Sequence, residues 1–218
     1  MSDFLQQDER TARRIRATYG GIIMCKLRVR IAIKLGVLAL FCASGSVLAQ
    51  DCDFVTGGGF IFFNGSRANF GVGGGCKDGS PTFGHLEYVD HGTGLNVHWT
   101  SITGYFLLGA DGVDDHGQPT GTRRICGTAT TNQFGDVGFA VTVTDAGEPG
   151  VNDTFDIQLT QAGVGIVYDT TTECSPHFLG SRVPCVPGTN GGGNIQLHKP
   201  NPSTRTTTFG GFCPGGGA

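Results

Sequence analysis

The chain has 218 residues and a formal net charge of −3 at pH 7. Eight of its 15 Lys and Arg residues, but three of its 18 Asp and Glu residues, fall within 1–49, so residues 50–218 carry seven basic against fifteen acidic side chains. That balance repels phosphate backbones and anionic lipid, which argues against nucleic acid and membrane surfaces as partners and favours divalent cations or neutral polymers such as glycans.

From the N-terminus, residues 26–34 (KLRVRIAIK) carry four cations, and the apolar run LGVLALFCASGSVLA follows from Leu35 to Ala49. Val47 and Ala49 are the small residues expected at −3 and −1 of a cut before Gln50. Basic, then apolar, then small is the order of a secretory signal peptide, and the run is too short to span a bilayer. Phe41 before Cys42 argues against a lipoprotein anchor. Met24 stands just ahead of the basic stretch and is an alternative start to Met1. The expected organisation is a leader over 1–49, one β domain over 50–199 and a Gly/Pro/Thr-rich tail over 200–218. The product is secreted, extracellular or periplasmic, with no membrane insertion after removal of the leader.

Beyond the leader no segment keeps a helical period. Short alternating runs are separated by Gly, Pro, Asp and Asn, which predicts strands near 55–63, 67–73, 84–90, 95–102, 104–108, 122–130, 139–144, 155–160, 164–169 and 193–198. In GFAVTVTD, Phe139, Val141 and Val143 face one way; in TFDIQLTQ, Phe155, Ile157 and Leu159 do so, and Asp156 points outward as a solvated charge. About ten such strands predict an all-β domain, an antiparallel sandwich or flattened barrel. The stretch 84–105 predicts a hairpin turning at His91–Gly94, with Leu86 and Tyr88 on the core face opposite Trp99 and Val97, and Glu87 beside His98 on the outer face.

Six cysteines follow the leader: Cys52, Cys76, Cys126, Cys174, Cys185 and Cys213. An even number in an exported chain predicts disulfides. Cys174 and Cys185 are expected to staple one polar loop, and the pairing of the other four stays open. No Cys/His spacing matches a zinc site.

The chemistry-bearing stretch is DAGEPGVNDTFDIQL, residues 145–159. Asp145, Glu148, Asn152 and Asp153 offer oxygens from one loop, which suits calcium, although the spacing is not that of an EF-hand and the same residue types serve any tight turn. A second acidic loop, 109–121, holds Asp111, Asp114, Asp115 and His116 and admits the same two readings. No nucleophile elbow, HExxH pair or phosphate loop is present, and no catalytic residues are assigned. Tyr88, Trp99, Tyr105 and Phe60 are candidate sugar-stacking rings, with the core as the competing place for them.

The segments CDFVTGGGFI (52–61), NFGVGGG (69–75), GHLEYVDHGTGLNVH (84–98), RRICGTATTN (123–132), GDVGFAVTVTDAGEPGVNDTFDIQL (135–159) and GGGNIQLHK (191–199) occur in this order. Together they resemble the post-COAP domain of exported bacterial proteins, over residues 52–199. The resemblance implies a compact β domain without an established activity. Cys76 and the Cys174–Cys185 loop depart from that pattern and suggest extra stapling. The expected function is a secreted or cell-surface, non-catalytic binding or structural module with a protein or glycan partner. The alternatives are a calcium-dependent carbohydrate-binding module and a glycan-acting hydrolase, the latter requiring two carboxylates across a cleft.

Overall fold

The structure is a computed structural model and describes residues 51–189, 191–204 and 208–215. The expected leader lies outside the described residues. Among those described, ten strands run in chain order: β1 (Phe54–Phe63), β2 (Ser66–Lys77), β3 (Ser80–Asp90), β4 (Leu95–Val113), β5 (Pro119–Thr131), β6 (Gly135–Asp145), β7 (Thr154–Gln161), β8 (Gly165–Asp169), β9 (Gly193–His198) and β10 (Gly210–Gly211). They form one antiparallel sheet in the order β8-β7-β6-β5-β4-β3-β2-β1-β9, with β10 added beside β4. The all-β reading therefore holds. The predicted strands 95–102 and 104–108 are one strand, β4, in which the register shift at Ile102/Gly104 stands where a break was expected and further shifts fall at Trp99/Ser101 and Leu108/Gly112. A bulge bends a strand and increases its twist without ending it.

Consecutive pairing follows from the turns. Asn64-Gly65 and Asp78-Gly79 both sit at positive φ between the strands they join, the backbone that two-residue hairpins require. The hairpin over β3 and β4 has the predicted register, Glu87 opposite His98 and Tyr88 opposite Val97.

The sheet curls so that its two halves pack on each other. Phe70 of β2 stacks on Phe155 of β7 with centroids 3.9 Å apart, and Tyr88 of β3 donates towards the Tyr168 hydroxyl of β8 (2.7 Å), which donates to Asp90 (3.1 Å). Gly74 allows a close approach between the two halves: a Cβ there would sit 2.5 Å from Ile125 Cγ1 of β5. Within NFGVGGG, Gly74 is thus explained by packing across the interior, where a side chain has no room, and Gly75 is closed in by Phe54 of the neighbouring β1.

The strand ladder does not close, since β8 and β9 are its two ends. The segment 177–180 spans the gap instead. Phe155 N–H donates to His177 O and Leu179 N–H to Asp153 O on the β7 side, and Gly180 N–H donates to Phe60 O on the β1 side. Three disulfides join Cys52–Cys76, Cys126–Cys213 and Cys174–Cys185. The second draws part of the expected tail onto the sheet. Gly210–Gly211 pair with Gly104–Tyr105, where β4 has parted from β3, and Pro214 lies over Gly138.

Candidate functional site

The loop between β6 and β7 holds the sequence-predicted calcium residues, and their oxygens are directed at backbone. Asp145 Oδ1 accepts from Gly147 N–H (2.8 Å) and Oδ2 from Leu197 N–H (2.7 Å). Asp153 Oδ1 accepts from Ala146 N–H (2.9 Å) and Oδ2 from Ile195 N–H (2.7 Å). Leu197 and Ile195 belong to the outer edge of β9, so two carboxylates stand where a further strand would otherwise supply carbonyls. Glu148 Oε1 accepts from Asn194 Nδ2 (3.1 Å), while Asn152 is exposed. Burial raises the pKa of both aspartates, Asp153 to about 6, against the lowering effect of the N–H bonds they accept. Among the described residues Asp145, Glu148 and Asp153 do not gather three ligand atoms within 4.8 Å of one another; Cys174, His177 and Cys185 do, with the two sulfurs joined in a disulfide.

In the second acidic loop Asp114 Oδ1 caps its own turn, accepting from His116 N–H (2.9 Å) and Gln118 N–H (2.7 Å). The Gln118 bond, with that from His116, lowers its pKa against the effect of burial. Asp115 is exposed. Asp111 turns to Arg123, whose guanidinium is fully buried and receives two carboxylates: Asp53 at Nε (3.2 Å) and Nη2 (2.5 Å), and Asp111 at Nη1 (2.7 Å) and Nη2 (2.6 Å). Tyr105 donates to Asp53 as well (2.7 Å), and Phe209 covers the guanidinium face at 5.3 Å. Sequence reasoning passes over this cluster because Asp53 and Arg123 are 70 residues apart and nothing local in either segment pairs them.

Asp156 departs from expectation. It alternates with the core residues of β7 but is buried and paired with His177, whose Nδ1 lies 2.7 Å from Asp156 Oδ1. Ser175 Oγ donates to Oδ2 (2.8 Å) and Thr170 Oγ1 to Oδ1 (3.2 Å). The loop closed by Cys174–Cys185 folds back over the end of β7 and so removes this charge from water. Burial opposes the charged imidazole, but the hydrogen bond and charge of Asp156, helped by Glu173, raise the His177 pKa overall. The nearby hydroxyls donate to Asp156 rather than to the imidazole, so this dyad does not form the nucleophile–base pair of acyl-transfer chemistry.

A further candidate site lies on the outer face of β1. Tyr88 and Tyr105 are core residues, and Trp99 packs against the core. Phe60 and Phe62 face outward, edge to face with centroids 5.8 Å apart. The Arg67 guanidinium lies 3.9 Å above the Phe60 ring and that of Arg182 lies 4.7 Å above Phe62. These four residues, with Gly180 and Gly191, line a cavity of about 330 Å³. Gly180 and Arg182 continue into a second hollow of about 350 Å³ walled by Val183, Val186 and Pro187. The closing segment builds the groove: Phe60 N–H donates to Gly192 O, and Phe60 O accepts from Gly180 N–H. Among the described residues Arg182 has no carboxylate partner, and Arg67 donates from Nε to Asn69 (2.7 Å). Stacking fixes each guanidinium plane and leaves its N–H edge for a ligand.

No protein-family model, no curated protein and no solved structure matches this chain.

Proposed function

We propose that the chain is an exported, non-catalytic binding module whose ligand is an acidic glycan held in the Phe60–Phe62 groove. The observation that carries the reading is the pair of guanidinium groups seated on outward-facing phenyl rings, on a chain otherwise rich in acidic residues. Sugar carboxylates or sulfates suit the guanidinium edges, and the ring edges and the Val183–Pro187 wall suit the apolar faces of a pyranose. Export is supported by the leader pattern and by three disulfides, a frequent feature of chains that fold in an oxidising compartment. Among the described residues no helix is long and apolar enough to cross a membrane. The link to the post-COAP domain rests on the ordered motifs alone.

Against a glycan hydrolase stands the lining of the groove, which includes no carboxylate. The calcium-dependent form of the module draws no support from the 145–153 loop, where Asp145 and Asp153 are engaged by backbone.

The test is binding of the oxidised protein to immobilised uronate-rich and sulfated glycans beside neutral ones. Arg182→Ala should weaken acidic-glycan binding about tenfold, the loss of one charge-assisted contact, and Phe62→Ala should weaken it comparably by releasing Arg182. Equal binding by an Arg67→Ala/Arg182→Ala protein would sink the proposal. A rise in melting temperature in millimolar calcium that is lost in Asp145→Asn would put the calcium-dependent module in its place.

A further inference from the structure

We propose a second, independent ligand site on the outer face of β5, β6 and β7, a pocket in which Arg124 receives the carboxylate of a small hydroxylated acid of the uronate class. It shares no lining residue with the Phe60–Phe62 groove.

Two adjacent arginines of β5 take opposite faces of the sheet. Arg123 points inward and is saturated by Asp53 and Asp111. Arg124 points outward beside Ile125, which is in the core. Among the described residues Arg124 has neither a hydrogen bond nor an ion pair, yet its Nε has lost its contact with solvent and has no partner. An N–H on a cation that is sealed off and unbonded is costly, and native structures leave few such groups unexplained. The rest of the side chain forms one wall of a cavity of about 200 Å³, and its Nη1 and Nη2 groups, also without a partner among the described residues, are the donors a ligand there would meet.

Sheet register sets the other walls. Arg124, Thr142 and Asp156 stand opposite one another across the three strands, and Ala140 and Gln158 stand opposite each other in the next row. Ala140, with one methyl group, leaves the floor low. The Thr142 hydroxyl forms no hydrogen bond among the described residues, so it joins Arg124 as a donor. Gln158 uses Nε2 on Asp169 (2.8 Å), which leaves its Oε1 as an acceptor. Asp156 stands on the far wall with its oxygens held by His177, Thr170 and Ser175; His177, paired with Asp156, and Asp169, against Gln158, are the charged groups behind that wall.

This set selects a ligand. The forked guanidinium matches a carboxylate bidentately. Gln158 Oε1 requires a donor on the same ligand, which a sugar hydroxyl supplies and an inorganic anion lacks. The carboxylate of Asp156 across the pocket disfavours a second negative charge, so a monoanion is preferred to sulfate or phosphate. The volume is below that of pockets for drug-sized molecules and suits one monosaccharide-sized unit.

The experiment is an NMR titration of the full oxidised chain with glucuronate, glucose, inorganic sulfate and acetate as separate probes, following the Arg124 Nε–H resonance in the parent and the Gln158 side-chain amide resonance in the parent and every variant. Glucuronate should shift the Arg124 resonance saturably in the millimolar range, while glucose should not. Acetate, which lacks the hydroxyl, and sulfate should bind more weakly, each by about tenfold for a lost charge-assisted or hydroxyl contact. Arg124→Gln should abolish saturation while changing the melting temperature little, because no hydrogen bond or ion pair of that side chain among the described residues is removed. Arg124→Lys should weaken binding through loss of the fork, and Thr142→Val should do so through loss of a donor. A missing response to glucuronate, a response that survives in Arg124→Gln, or equal affinity for sulfate would overturn the assignment.

Discussion

Asp153 shows how much a single carboxylate can do in this fold. It is fully buried, it accepts backbone N–H groups from its own loop and from β9, and its pKa is pushed up to about 6 by burial. A carboxylate in an unfolded chain titrates near 3.9. The folded state therefore holds the proton more tightly, so stability from this group is fully present below about pH 4 and lost as pH rises through about 6. The loss is at most about 3 kcal/mol at 1.36 kcal/mol per unit. His177, with its pKa raised, acts in the same sense at higher pH: its contribution fades as pH climbs through its folded value. In Asp153→Asn, one backbone N–H would face the amide Nδ2 instead of an oxygen, which costs about 1–3 kcal/mol. That variant should be clearly less stable than the parent at pH 4.5, and the gap should narrow by about 2 kcal/mol by pH 7.5, as the parent alone acquires the buried charge. Denaturant melts at the two pH values measure it; parallel stability curves would show that Asp153 does not titrate in this window.

At the scale of elements, sequence legibility tracks sequence distance. Alternation along β6 and β7 and the turn glycines are local signals, and they mark these strands and the hairpin of β3 and β4 in the right places and register. The partners of charged side chains are long-range, and nothing local marks them: Asp145 reaches Leu197, Asp53 reaches Arg123 and Phe62 meets Arg182. For that reason the 145–153 loop was legible as an oxygen-rich turn, but its engagement with β9 was not, and the aromatic–arginine groove went unseen apart from Phe60. Asp156 misled for the same reason, since alternation gives a direction and cannot anticipate a loop folding over it. Glycine was legible as close approach without its partner. For Gly74 the partner is Ile125, so Gly74→Ala should cost about 1–3 kcal/mol by overpacking. The cost should shrink in an Ile125→Ala background, where both Cγ atoms and Cδ1 are gone. Additive effects of the two substitutions in a double-mutant cycle would mean that β2 and β5 are not in contact there.

At the largest scale the described residues form a curled sheet whose ends do not pair, held by two different devices. Along one part of the seam the segment 177–180 bridges β7 to β1, and along another Asp145 and Asp153 hold β9. The disulfides divide between these jobs. Cys174–Cys185 closes a loop of separation 11 beside the seam, Cys52–Cys76 one of 24 at the start of the sheet, and Cys126–Cys213 one of 87 that holds β10 and Phe209 in place. If each acted by restricting the unfolded chain, their contributions would be about 2.8, 3.4 and 4.6 kcal/mol in that order. Replacing Cys126 and Cys213 by serine should then lower the melting temperature most, on the order of 10 °C for a chain of this size, and replacing Cys174 and Cys185 should lower it least. Calorimetry of the three double-serine proteins ranks them. The reverse order would locate the weak point of the fold at the seam, where loss of the 174–185 staple frees the segment that joins β7 to β1. Acidic-glycan binding would then fall together with stability, because Gly180 and Arg182 are carried on that same segment.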